Sequence, residues 1–177
     1  YYLFYLYMCL YYYSKLPFNS NAARIMIEIK NLHKSFSGTK VLNGISSKFE
    51  RGKTSLVIGQ SGSGKTVLLK CLLGLHSYDK GDIVFDGTNY KSLSEKQKLE
   101  LKSKIGTVFQ GSALFDSMNI EENVMFPLRM FNNYSYDEML SRVNQVLKRV
   151  NLENVNKKMP SEASGGMQKR VAIARAI

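Results

Sequence analysis

Between Gly59 and Thr66 the chain reads Gly-Gln-Ser-Gly-Ser-Gly-Lys-Thr, a full match to G-x-x-x-x-G-K-[ST]. These residue types at this spacing make a cradle for phosphate. Across Gly59, Gln60, Ser61, Gly62, Ser63 and Gly64 the glycines allow a loop whose backbone N–H groups all point inward, a nest for a β-phosphate. Lys65 would neutralise β- and γ-phosphate oxygens, and the Thr66 hydroxyl would ligate Mg²⁺. A helix starting here adds free N–H donors and the positive end of its dipole. A merely flexible glycine-serine turn would not require Lys65-Thr66 at this spot. The expected cofactors are therefore ATP and Mg²⁺, although kinases, GTPases and transporter ATPases share the loop.

The motif needs a strand before it and a helix after it. Ser55–Ile58 is a short apolar run, as expected for a buried parallel strand. Val67, Leu68, Leu69, Cys71, Leu72 and Leu73 form a buried helix that Gly74 stops. Upstream, Ile27–Ile29 and Lys40–Phe49 read as strands, with turns at Ser37-Gly38-Thr39, Asn43-Gly44 and Glu50–Lys53. Downstream come a strand at Gly81–Phe85 with a turn at Asp86-Gly87, a charged helix at Ser94–Lys104 and a buried strand at Ile105–Phe109. A mixed segment runs to Pro127. Tyr136–Val150 carries Met139, Leu140, Val143, Val146, Leu147 and Val150 on one face, an amphipathic helix. Asn151–Ser164 is a polar connection, and Gly165–Ile177 reads as one more helix.

A second constellation lies at Ser164-Gly165-Gly166-Met167-Gln168-Lys169-Arg170-Val171-Ala172-Ile173-Ala174-Arg175-Ala176. Two glycines at a helix start again offer N–H groups to an anion, with Ser164 as an extra donor. Here the chain resembles the ATP-binding-cassette (ABC) family, whose signature is L-S-G-G-Q followed by a basic residue and an A-x-A-R-A helix. Ala163 stands at the usual leucine and Met167 at the usual glutamine. The resemblance covers Met26 to Ile177. It implies a P-loop NTPase of α/β class: a parallel core sheet, an N-terminal antiparallel β subdomain and an α-helical subdomain, with the C-terminal part missing. It also implies a head-to-tail dimer, in which Ser164, Gly165 and Gly166 serve the ATP on the phosphate loop of a second ABC ATPase subunit. Gln110 matches the Q-loop glutamine that senses Mg²⁺ and the attacking water, and Phe36 the ring that stacks on adenine.

Within the family, the runs Phe109–Ser117 and Asn123–Arg129, together with Ser-Gly-Gly-Met, look like the ATPases of mammalian-cell-entry (MCE) type lipid transport systems. Polar amino-acid importers compete with that reading. The resemblance implies a subunit that couples ATP binding and hydrolysis to transport, with an integral membrane permease as partner and no specific nucleic acid. Its expected place is cytoplasmic, peripheral on the inner (plasma) membrane. The alternative is a soluble, non-transport cassette ATPase acting on ribosomes or DNA, which the charge of +11 invites. The family's catalytic Asp-Glu and its switch histidine would lie beyond Ile177. No catalytic residue other than Gln110 is therefore expected here, and the chain alone is expected to bind ATP without turning it over. With strands absent around Ile58 and Val108, residues 26–177 are expected to be aggregation-prone.

Composition agrees with this frame. With 177 residues, 44% of them apolar and 22% charged, the chain is one globular domain and not a disordered tail. Cys9 and Cys71 are too few for a disulfide framework, and His33 and His76 have no cysteine or carboxylate cluster beside them. Residues 1–13 hold seven of the eleven tyrosines and no charge, too short a run to span a bilayer. The pattern changes at Met26, so residues 1–25 are expected to be a non-native or upstream-translated leader and 26–177 a partial nucleotide-binding domain.

Overall fold

The computed structural model describes residues 25–109 and 111–177, which fall into two compact units divided after Lys102. The expected leader at 1–25 lies, but for Ile25, outside the described residues.

The first unit is built on a four-stranded antiparallel sheet in the order β2-β1-β3-β4. Its strands are β1 (Ile25–Phe36), β2 (Thr39–Glu50), β3 (Lys80–Phe85) and β4 (Thr88–Asn89). Ser37 and Gly38 join β1 to β2, and Asp86 and Gly87 join β3 to β4, as two-residue turns with both members left-handed. That geometry matches the right-handed twist of the flanking strands. Alternation buries Ile27 and Ile29 of β1, and Ile83 and Phe85 of β3, whose partners across the ladder they are. Each such buried side chain contributes roughly 1.5–3 kcal/mol.

The expected turn at Asn43-Gly44 is not a turn. β2 runs unbroken from Thr39 to Glu50, and Leu32 pairs with Ile45 while His33 pairs with Asn43, so Gly44 is the extra residue of a β-bulge. Its φ of 72° supplies the left-handed residue that such a bulge uses. Helix α1 (Lys65–Leu72) buries Leu68, Leu69, Cys71 and Leu72, and Gly74 ends it as expected, with the Leu75 N–H reaching back to the Lys70 carbonyl at 2.8 Å. Helix α2 (Glu95–Ser103) has no buried residue, in keeping with its charge.

The second unit packs α3 (Ile120–Phe131), α4 (Tyr136–Arg149) and α5 (Gly165–Ala176) around Ile120, Val124, Met125, Val143, Val146, Leu147 and Val171. Asn119 with Glu122, and Ser135 with Glu138, form reciprocal capping boxes at the starts of α3 and α4. Helix α3 continues through Pro127, where the sequence suggests only a mixed segment. The capping box and the burial of Ile120, Val124 and Met125 fix its first turns, so one lost N–H does not stop it.

The runs Ser55–Ile58 and Ile105–Phe109 join no strand ladder among the described residues. A parallel strand needs a neighbour to satisfy its backbone, and each run stands without one in its own unit. Leu56 and Ile58 are accordingly 52% and 70% exposed, where burial was expected.

Candidate functional site

Gly59 to Thr66 form a loop that runs through Gly64 into the first residues of α1, with no paired strand before it among the described residues. The Lys65 ammonium folds back over the loop and donates to the carbonyls of Gly59 (2.8 Å) and Gln60 (2.6 Å), with the Ser63 hydroxyl at 3.4 Å. A turn bond from Ser63 N–H to Gln60 C=O (3.2 Å) tightens the middle of the loop. Gly64 is the buried pivot between loop and helix. It adopts φ 89°, and a β-carbon there would lie 2.9 Å from the Val41 carbonyl oxygen and 3.1 Å from Leu42. No side chain caps α1, so the N–H groups of its first turn are not spoken for by a cap. Ser61, Gly62 and Thr66 are exposed beside them. The arrangement suits an anion: a fixed ammonium, an uncapped helix start and a free-facing hydroxyl within one loop.

Phe36 ends β1 and is 40% exposed. The His76 ring meets it edge-on at 5.5 Å, and the Lys34 ammonium lies 5.0 Å from its centroid. Asp79 secures this corner by accepting from Ser35 N–H (2.7 Å) and pairing with Lys34 (3.4 Å). The Ser35 N–H, helped by Lys34 and opposed by burial, holds the Asp79 carboxyl below its ordinary range. A half-exposed ring held in this way can serve as a stacking platform.

Ser164, Gly165 and Gly166 belong to the second unit. The Ser164 hydroxyl accepts from Met167 N–H at 3.3 Å and caps α5. Apart from its chain neighbours and the adjoining backbone of α5, no described atom lies within 4 Å of a β-carbon built at Gly165 or Gly166, and neither has a positive φ. Met167 packs against the helical core, which accounts for an apolar residue in place of the usual glutamine, and Ala163 is buried in the same core. The Gln168 amide braces the approach to α5 by donating to the carbonyls of Pro160 (2.9 Å) and Ala163 (3.2 Å). Gln110 lies outside the described residues.

Three further polar side chains organise the second unit. Asn123, fully buried, accepts from Phe115 N–H (2.8 Å) and donates to the carbonyls of Phe115, Met118 and Asn119, fixing the segment before α3. Glu121, also buried, accepts from the Tyr136 hydroxyl (2.7 Å), the Asn156 amide (3.1 Å) and the Lys157 ammonium (3.1 Å). Burial raises its pKa, but these donors outweigh burial and leave the carboxyl below its ordinary value. The third is Arg175, whose donors reach back to residues 112 and 113. The only signal for Asn123 and Glu121 in the sequence is a polar residue interrupting or edging the apolar stripe of a helix.

Residues 42–177 match the ABC transporter family. The chain belongs to that family. It is 43% identical over 154 residues to the methionine import ATP-binding protein MetN of Clostridium tetani, covering 86% of this chain and 48% of that protein. It is 40% identical over 157 residues to the chloroplastic protein TRIGALACTOSYLDIACYLGLYCEROL 3 of Arabidopsis thaliana, covering 89% and 45%. The chain thus spans less than half the length of these two relatives. Among solved structures, CbiO1 of Clostridium perfringens, part of the ABC transporter complex CbiONQ, superposes with a TM-score of 0.77 at 30% identity, covering 87% of this chain and 61% of that one. The ATP-binding cassette MJ0796, solved as a dimer in a post-hydrolysis state with ADP and Pi, gives 0.73 at 29%, covering 86% and 69%. These likenesses establish the α/β cassette class expected from the sequence, with its N-terminal antiparallel sheet and its helices. Among the described residues no helix is long and apolar enough to cross a membrane.

Proposed function

We propose that this chain is the nucleotide-gripping portion of an ABC transporter ATPase, acting as a head-to-tail dimer on the cytoplasmic face of a membrane beside an integral permease. In each composite site, Gly59 to Thr66 of one copy would hold the phosphates of ATP and Phe36 its adenine. Thr66 and Gln110 would serve Mg²⁺, and Ser164, Gly165 and Gly166 of the other copy would close over the γ-phosphate. Bound Mg²⁺ would neutralise charge that develops on the transferred phosphoryl group, the chemistry that the whole protein, as an ATPase, would use. This chain's own groups bind and orient.

The observation that carries the dimer is the open space at Gly165 and Gly166. Glycine in a helix costs roughly 0.5–1 kcal/mol relative to alanine. Nothing in their own packing or backbone angles asks for it here. Close approach by a group from outside the chain does. The MJ0796 cassette, solved as a dimer bound to ADP and Pi, supports a dimer for this chain as well.

For cargo we favour lipid, on the Phe109–Ser117 and Asn123–Arg129 runs and Ser-Gly-Gly-Met; one relative's name also contains a galactolipid. The MetN relative, named for methionine import, makes an amino acid the competing outcome. Transport-named relatives support this reading over a ribosomal or DNA-linked cassette.

Titration of Mg²⁺-ATP onto the chain by calorimetry tests the core of the proposal. Binding should be saturable, and Lys65→Ala should weaken it about ten- to hundredfold, the loss of one charge-assisted contact. Equal affinity in the variant would refute the assignment of the loop. Copurification of the permease, with scoring of bound lipid against bound amino acid, decides the cargo.

A further inference from the structure

Helix α5 meets the segment after the run Ile105–Phe109, and that run itself, at two points near the helix's C-terminal end. A β-carbon built on Gly106 would overlap the Ala176 carbonyl oxygen, so backbone lies directly on backbone there. Further along the chain, Arg175 donates from Nη1 to the Ala113 carbonyl (2.8 Å) and from Nη2 to the Ser112 carbonyl (3.1 Å). Its guanidinium also lies 5.7 Å from the Phe115 ring centroid.

The backbone that Arg175 grips is strained. Ser112 has φ 67° and Ala113 φ 47°, two consecutive residues with β-carbons in the left-handed region. Each costs roughly 1–2 kcal/mol, and such pairs persist only where surroundings enforce them. The turn is also wound tightly, with Ala113 N–H on the Gly111 carbonyl at 2.8 Å and Ser112 buried. Two carbonyls pointing one way match the fork of a guanidinium, and a lysine ammonium is a single point charge. Burial pulls the Arg175 pKa down, and the carbonyl acceptors satisfy the charge that burial disfavours.

We propose that Arg175 is a positioning residue: its bidentate grip on Ser112 and Ala113 fixes the backbone that follows Gln110 in sequence. Helix α5, which starts at the Ser164–Gly166 element, is thereby tied to that turn. The functional part of the proposal rests on the reading of Gln110 as a Mg²⁺-sensing residue.

The test uses the 177-residue chain with Arg175→Ala and Arg175→Lys. Lysine keeps the charge and the apolar stem, so it probes the fork even if the alanine variant does not fold. Amide hydrogen exchange at residues 111–115 should rise about tenfold in both variants, with α4 amides unchanged. ATP affinity in the presence of Mg²⁺ should fall about three- to tenfold, with Mg²⁺-free ATP affinity unchanged. Exchange at 111–115 like that of the unaltered chain in the lysine variant overturns the proposal, because charge alone would then suffice. So does faster exchange with an unaltered Mg²⁺ dependence. If the unaltered chain fails to bind ATP, the functional reading falls, and the exchange measurement still decides whether Arg175 holds the turn.

Discussion

Two helices in this chain begin beside glycine, and they do so for opposite reasons. At α1 the glycine is compelled from within: Gly64 is buried, left-handed and pressed against Val41 and Leu42. No side chain caps that helix. At α5 the start is finished locally, by the Ser164 cap and the Gln168 brace, and Gly165 and Gly166 face open space. The first site is shaped by its own chain. The second, on the proposed reading, would be shaped for a group that arrives from outside the chain.

The largest expected effect comes at the compelled glycine. Gly64→Ala should cost about 2–3 kcal/mol of stability in denaturant, combining the left-handed penalty with the Val41 contact, and should weaken ATP binding with it. A cost below about 0.5 kcal/mol would erase the distinction between the two helix starts.

Next comes the response of the second unit to acid. The Glu121 carboxyl is held below its ordinary value in the folded state. Its contribution is therefore present above the unfolded value of about 4.3 and is lost as pH falls through the folded value. Glu121→Gln should cost about 1–3 kcal/mol at neutral pH, the penalty of disrupting a buried hydrogen-bonded network, and should flatten the acid limb below about pH 4. Fluorescence or circular dichroism melts from about pH 3 to 7 measure both.

Smaller effects belong to α5. Ser164→Ala should cost about 1 kcal/mol by removing the cap on Met167 N–H. Gly166→Ala should stabilise the isolated chain by about 0.5 kcal/mol and still impair nucleotide-driven association, seen by sedimentation. An alanine that stabilises and also supports association would leave the open space at α5 without a ligand to explain it.

The features legible in the sequence are local ones. The hairpin turns at Ser37-Gly38 and Asp86-Gly87, the stop at Gly74 and the amphipathic α4 each carry their cause within a few residues. The contacts of Lys65 and Ser63 in the Gly59 to Thr66 loop are likewise made within a few residues. The features that escape a sequence reading depend on distant partners. Asn43-Gly44 has the composition of a turn, but pairing with β1 on both sides of it makes a bulge. Ser55–Ile58 has the composition of a buried strand, and burial requires neighbours that no local pattern supplies. Arg175 reads as part of a signature helix, and its reach back to Ser112 and Ala113, 63 and 62 positions earlier, has no local trace.

The hold of Gly59 and Gln60 on Lys65 would have a consequence for how quickly the proposed site captures a phosphate. A free lysine side chain surrenders about 1.5–2 kcal/mol of rotamer entropy when it is immobilised. In this loop that ordering precedes the ligand. An incoming phosphate oxygen can exchange places with one carbonyl at a time, each new contact forming as an old one opens. The ammonium would then not pass through a state without acceptors, and the barrier to capture would be low.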